Sequence, residues 1–197
     1  MRKLFLSSAG IVPETKEEFL KILGNDPRNL TAAFIPTAAD PAEDKTFVQW
    51  SIDQIEGLGM KLFTVDLKEE NADTLYDKLS KADIIWVNGG DTIYLIDQIR
   101  KSGFDQIIDR LIDEGRIYVG VSAGSYISCP TIPATDLAGL GLADFHMVVH
   151  YEDKYRQEVE DYAKTANYPV FALTDQQAII IHGEDFKIVG SGEINRF

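Results

Sequence analysis

At 197 residues and 45% hydrophobic, with no linker, repeat or low-complexity tract, the chain is expected to form a single domain over residues 1–197 around one core. A formal net charge of −13, from 32 acidic against 19 basic residues, disfavours nucleic acid and anionic membranes as partners, since binding either depends on Lys and Arg neutralising phosphates. No run approaches the roughly eighteen apolar residues of a membrane span, Met1-Arg2-Lys3-Leu4-Phe5-Leu6 is too short for a signal peptide, and a lone cysteine forms no internal disulfide, so a soluble cytoplasmic protein is expected.

In chain order, strand-like runs at 3–7, 31–36, 60–65, 83–87, 117–121 and 169–173 alternate with helical patterns at 14–23, 46–58, 72–81, 92–101 and 104–114, and two last strands fall near 177–181 and 186–190. That alternation implies right-handed crossovers and an α/β fold of three layers, a mainly parallel sheet with helices on both faces. In such sheets ligands bind outside the carboxyl ends of the strands. Three turns fall on that edge: Pro36 to Asp40, Asn88-Gly89-Gly90, and the turn at Ser122.

The turn at Ser122 is the most informative. A β-type run, Ile117 to Val121, ends in Gly120-Val121-Ser122-Ala123-Gly124, the spacing of a nucleophile elbow. A serine hydroxyl attacks a carbonyl only when a tight turn presents it beside a base and oxyanion donors, and flanking glycines permit that turn. The bland alternative is a glycine-rich strand-to-helix turn with an idle serine. Earlier in the chain, Ala82 to Val87 runs into Asn88-Gly89-Gly90-Asp91-Thr92 and opens a helix with Ile93, Leu95, Ile96 and Ile99 on its apolar side. Gly89 or Gly90 there is a candidate for one oxyanion donor and the Ala123 amide for the other. Asp91 or Thr92 reads equally well as an ordinary N-cap. Cys129, expected inside the helix after the elbow, reads as a small buried side chain.

Three histidines are available as the base. His182 lies in a turn between the two late strands and reads as a solvated hairpin residue. His146 and His150 share the strand-like run Asp144 to Tyr151, where alternation places both on one face; His150 is preferred because the run ends there and polar residues follow. To orient the imidazole, Asp136, Asp144 and Asp175 are all candidates.

Taken together, Val87-Asn-Gly-Gly-Asp-Thr92, Gly120-Val-Ser-Ala-Gly-Ser125, Cys129-Pro-Thr-Ile132 with Asp136 beyond it, and Leu142 through His150-Tyr151 resemble the dipeptidase E family, the peptidase E and cyanophycinase group of serine peptidases. The resemblance runs from Leu4 to Gly192. It implies a class I glutamine-amidotransferase-like (flavodoxin-like) sheet, with Ser122 as nucleophile, His150 as base and Asp136 as the acidic partner, Asp175 being the alternative. It implies an oxyanion hole at Gly89, Gly90 and Ala123, and substrate contacts at Arg156, Asp91 and Thr92. Two departures concern the substrate. The family segment that recognises an amino-terminal aspartyl residue carries a glutamate where this chain has Lys154, although Arg156 is retained; and Asp91 stands where an uncharged amide is usual, a charge that would slow the reaction unless it points away. The expected function is a serine peptidase acting on short peptides, with aspartyl dipeptides as the implied substrates and no cofactor or metal, in a monomer or homodimer. The alternatives are a catalytically silent relative that binds a small acidic metabolite or peptide, and an esterase or amidase with the same triad.

Overall fold

The computed structural model describes all residues from Met1 to Phe197. Seven strands form the central sheet in the order β3-β2-β4-β5-β1-β8-β9. Five are mutually parallel: β1 (Lys3–Ser7), β2 (Thr31–Ile35), β3 (Lys61–Thr64), β4 (Ile84–Val87) and β5 (Ile117–Val121). The edge is closed by an antiparallel hairpin of β8 (Gln177–His182) and β9 (Asp185–Gly190), with exposed His182 at its turn. Every residue of β4 and β5 is buried, which is why both strands read as unbroken apolar runs instead of alternating ones.

Alternation along these strands divides the core into two layers. Leu4, Leu6, Ile85, Val87 and Tyr118 join a cluster of 32 residues, and Phe5, Phe34, Ile84, Trp86 and Val119 one of 18. The larger layer is covered by α3 (Ala72–Leu79), α4 (Thr92–Ser102) and α5 (Phe104–Asp113), through Leu75, Leu95, Ile99, Phe104, Ile108 and Leu111. The smaller is covered by α1 (Pro13–Leu23) and α2 (Thr46–Gly57), through Phe19, Ile22 and Ile55. No helix is long and apolar enough to cross a membrane.

The structure differs from expectation in the last third of the chain. After the elbow only Ala123–Tyr126 is helical (α6). The helix stops because Pro130 has no N–H to continue it and residues 140–143 fold back, so that the Leu140, Gly141 and Leu142 amides take the carbonyls of Ile127, Cys129 and Ser128. Cys129 thus lies beyond the helix; it is buried, and that burial pushes its thiol up to about 12. The run expected over 144–151 is a strand only at His146–Val148 (β6), and it joins β7 (Val170–Ala172) and β10 (Asn195–Arg196) in a second, three-stranded sheet. Beyond β6 the chain forms a 3₁₀ turn, Asp153–Tyr155, that leads directly into α7 (Arg156–Ala163).

Candidate active site

Neighbouring strands β4, β5 and β1 end side by side, bringing Asn88, Ser122 and Ser8 to one edge. Ser122 has φ +50° and ψ −108°, a sparsely populated conformation for a side chain with a Cβ. Its own backbone bonds hold it there: the Ser122 amide donates to Ser7 O at 2.9 Å, and the Ser125 and Tyr126 amides both donate to Ser122 O at 2.9 Å. Both motif glycines are needed for the close approach. A Cβ on Gly120 would lie 2.6 Å from Gly124 O, and one on Gly124 would lie 2.1 Å from Val87 O.

His150 follows β6 with φ +55°. Its amide donates to Ser8 Oγ at 3.1 Å, buried Ser8 in turn donates to Leu173 O at 3.0 Å, and the Tyr151 amide donates to the same carbonyl at 2.9 Å. These bonds fix the loop, so the imidazole meets two partners: Nε2 lies 3.0 Å from Ser122 Oγ and Nδ1 lies 2.6 Å from Asp175 Oδ1. An ionised carboxylate only accepts, which places the imidazole proton on Nδ1 and leaves Nε2 to accept the serine hydroxyl.

Among the candidate carboxylates, then, Asp175 is the one beside His150, and the expected partner Asp136 is not. Residues 131–138 close on themselves through the Thr131–Ala138 bridge and the Ile132 amide bond to Leu137 O. That turn leaves Asp136 exposed on a separate cavity shared with Thr131, His146 and Tyr162. Asp144 is exposed beside Phe145 and Phe171. Nor do the two histidines share a face. The left-handed backbone at His150 breaks the alternation, and buried His146 bonds Thr131 Oγ1 at 2.9 Å and Tyr162 OH at 2.6 Å, with its pKa lowered by burial.

The backbone amides of Gly89, Gly90 and Ala123 donate to no acceptor within the chain; the two glycines line the cleft with Ser122, and Ala123 follows the serine directly in the chain. A Cβ on Gly89 would stand 3.1 Å from Ser122 Cβ; Gly90, at φ +143°, packs against Ala38, where a Cβ would lie 2.1 Å from the carbonyl oxygen. Such free amides are the donors an oxyanion requires. The substrate contacts expected at Asp91, Thr92 and Arg156 do not form part of the cleft wall. Asp91 caps α4, accepting the Tyr94 amide at 2.8 Å, and Thr92 is that helix's first residue. Arg156 is spent on Asn195 Oδ1 at 3.4 Å and Asp153 at 3.5 Å, while Lys154 pairs with Glu152 at 2.9 Å.

The cleft itself has a volume of about 530 Å³. Besides Ser122, His150, Asp175 and the glycine turn, its wall includes Val12, Pro13, Phe47, Trp50 and Glu14. Neither this apolar wall nor the role of Ser8 is foreseen in the sequence; the available signal was a tryptophan and a phenylalanine three apart on α2 in a chain with two Trp. No group of three His, Cys, Asp or Glu side chains is arranged to hold a metal ion.

Residues 4–189 match the model of peptidase family S51. An uncharacterized peptidase of Pasteurella multocida is 30% identical over 209 residues, covering 97% of this chain and 99% of its own. An uncharacterized peptidase of Listeria monocytogenes is 31% identical over 206 residues, covering 94% and 97%. Among solved structures, a protein of Listeria monocytogenes EGD-e assigned to peptidase E superposes with a TM-score of 0.83 at 25% identity, covering 98% of this chain and 100% of the other. With the family pattern matched from the first strand of the sheet to the last, the chain belongs to peptidase family S51, a serine peptidase family.

Proposed function

We propose that this protein is a cytoplasmic hydrolase of short peptides that works through an acyl-enzyme on Ser122, with His150 as general base and Asp175 orienting it. The carrying observation is the continuous relay from Asp175 through His150 to a serine held at φ +50°. In this reading His150 Nε2 takes the Ser122 proton as Oγ attacks the scissile carbonyl. The negative oxygen that forms is stabilised by the Gly89 or Gly90 amide and the Ala123 amide, and Asp175 stabilises the imidazolium. The intermediate collapses as His150 gives its proton to the departing amine; water then repeats the sequence on the ester and releases the acid. A cleft of about 530 Å³ falls within the range of small-molecule sites, which favours short peptides over folded chains. The unpaired thiol of Cys129 fits a reducing compartment. The aspartyl preference implied by family resemblance lacks support in the cleft, since Arg156 and Lys154 are engaged elsewhere.

Labelling with a fluorophosphonate, read by mass spectrometry of the modified peptide, tests this reading. The parent is expected to be modified on Ser122, while Ser122→Ala is unmodified and loses on the order of a millionfold in peptide turnover with its fold intact. An unlabelled parent, or turnover persisting in Ser122→Ala, would remove the acyl-enzyme reading.

A further inference from the structure

The resemblance implies a basic group to receive the substrate's side chain, but the side chains that line the serine's cleft include two aromatic ones and no Lys or Arg. Phe47 and Trp50, one turn apart on α2, stand in the cleft wall with Val12, Pro13 and Val121. Helix α2 is anchored to the smaller core layer through Ile55, while buried Ser51 donates to Asn88 Oδ1 at 2.7 Å, tying the helix to the residue before the glycine turn. Phe47 and Trp50 are therefore held in place beside the oxyanion turn. Trp50 is nevertheless 51% exposed, an apolar surface that nothing in the chain covers.

The charges along the same wall have one sign. Lys and Arg are absent from it, and its carboxylates are Glu14, in the first turn of α1, and Asp175. An acidic substrate side chain entering this cleft would face two carboxylates and meet no cation except an imidazole already bonded to Asp175. An apolar side chain would remove the Phe47 and Trp50 surfaces from water at no electrostatic cost.

From this wall we infer that the cleft selects peptides whose scissile carbonyl belongs to a large apolar residue, aromatic or branched aliphatic, with Phe47 and Trp50 as the specificity-determining residues. The inference rests on the serine peptidase reading of the same site and specifies its substrate class. Full burial of such a side chain is worth about ten- to a hundredfold in kcat/KM relative to a small one.

The test is a panel of Phe-Leu, Leu-Leu, Ala-Leu and Asp-Leu, with kcat/KM measured for the parent and Trp50→Ala. The parent is expected to prefer Phe-Leu over Asp-Leu by at least about tenfold, and Trp50→Ala to shrink the Phe-Leu to Ala-Leu ratio by about tenfold. A preference for Asp-Leu in the parent, or a Phe-Leu to Ala-Leu ratio that Trp50→Ala leaves as it was, would overturn the inference. Calorimetric titration of Ser122→Ala with Phe-Leu and Asp-Leu separates this from failure of the hydrolase reading. If no peptide is turned over, tighter binding of Phe-Leu still supports the apolar subsite, and equal or tighter binding of Asp-Leu overturns it.

Discussion

Replacing Asp175 by Asn tests the reassignment of the acidic partner most directly. The carboxylate accepts from His150 Nδ1 at 2.6 Å, but the two side chains are 62% and 50% exposed. An exposed pair contributes little to folding, about 0–1 kcal/mol, so Asp175→Asn should unfold at nearly the parent temperature. Catalysis is another matter, because the carboxylate holds the tautomer and stabilises the imidazolium; its loss costs about 10⁴ where the triad is buried. Water at the half-exposed imidazole recovers part of that, which puts the expected loss at about 10² to 10³ in kcat. Asp136→Asn is the control, since Asp136 is exposed and makes no side-chain hydrogen bond, and it should stay within about threefold of the parent. The assay is steady-state hydrolysis of the best dipeptide, backed by the rate of fluorophosphonate labelling and a thermal melt of each variant. Near-parent activity in Asp175→Asn together with a large loss in Asp136→Asn would refute the geometry argued above.

Two further predictions follow from named contacts. Gly90→Ala places a Cβ 2.1 Å from Ala38 O at φ +143°, so the backbone must shift; thermal unfolding should show at least about 2 kcal/mol lost, with kcat falling more than KM rises as the amide turn is displaced, and a parent-like melt and kcat would contradict this. Burial lowers the pKa of His146 between Thr131 and Tyr162, so its stabilising effect is complete above the ordinary value of 6.5 and is lost as pH falls below it; urea midpoints should drop on acidification from pH 6.5, and an equally steep drop in His146→Gln would assign it to other groups.

Much of the sheet and the nucleophile is legible in the sequence because both are local. β4 and β5 read as apolar runs since both their faces are covered, and the bounds expected for β1 and β5 match those observed. Gly120 and Gly124 flank Ser122 at fixed spacing for a steric reason: each clears a backbone oxygen that a Cβ would strike. What the sequence hides is whatever depends on how separate segments return to the sheet edge. His150 and Asp175 are 25 residues apart and meet only because β6 and β7 pair in parallel, while Asp136, closer in sequence to the Cys-Pro-Thr-Ile segment, is carried off by a turn. Alternation misleads at His150 because one residue at φ +55° redirects the side chain.

The same distinction between local and returning segments bears on specificity. The residues of the proposed relay are supplied by strand-end turns of β4 and β5 and by loops after β6 and β7, whereas the apolar part of the cleft wall comes from α2 and the start of α1. These helices lie on the smaller core layer, and neither supplies a hydrogen bond that holds the backbone of Ser122 or His150. Family membership, recognised through the strand-end motifs, is therefore weak evidence about which residue the enzyme prefers. Arg156 illustrates the point: it is retained at the position the resemblance marks, yet it lies outside the cleft on Asn195 and Asp153, while Trp50, which no motif marks, stands in the cleft wall with the serine.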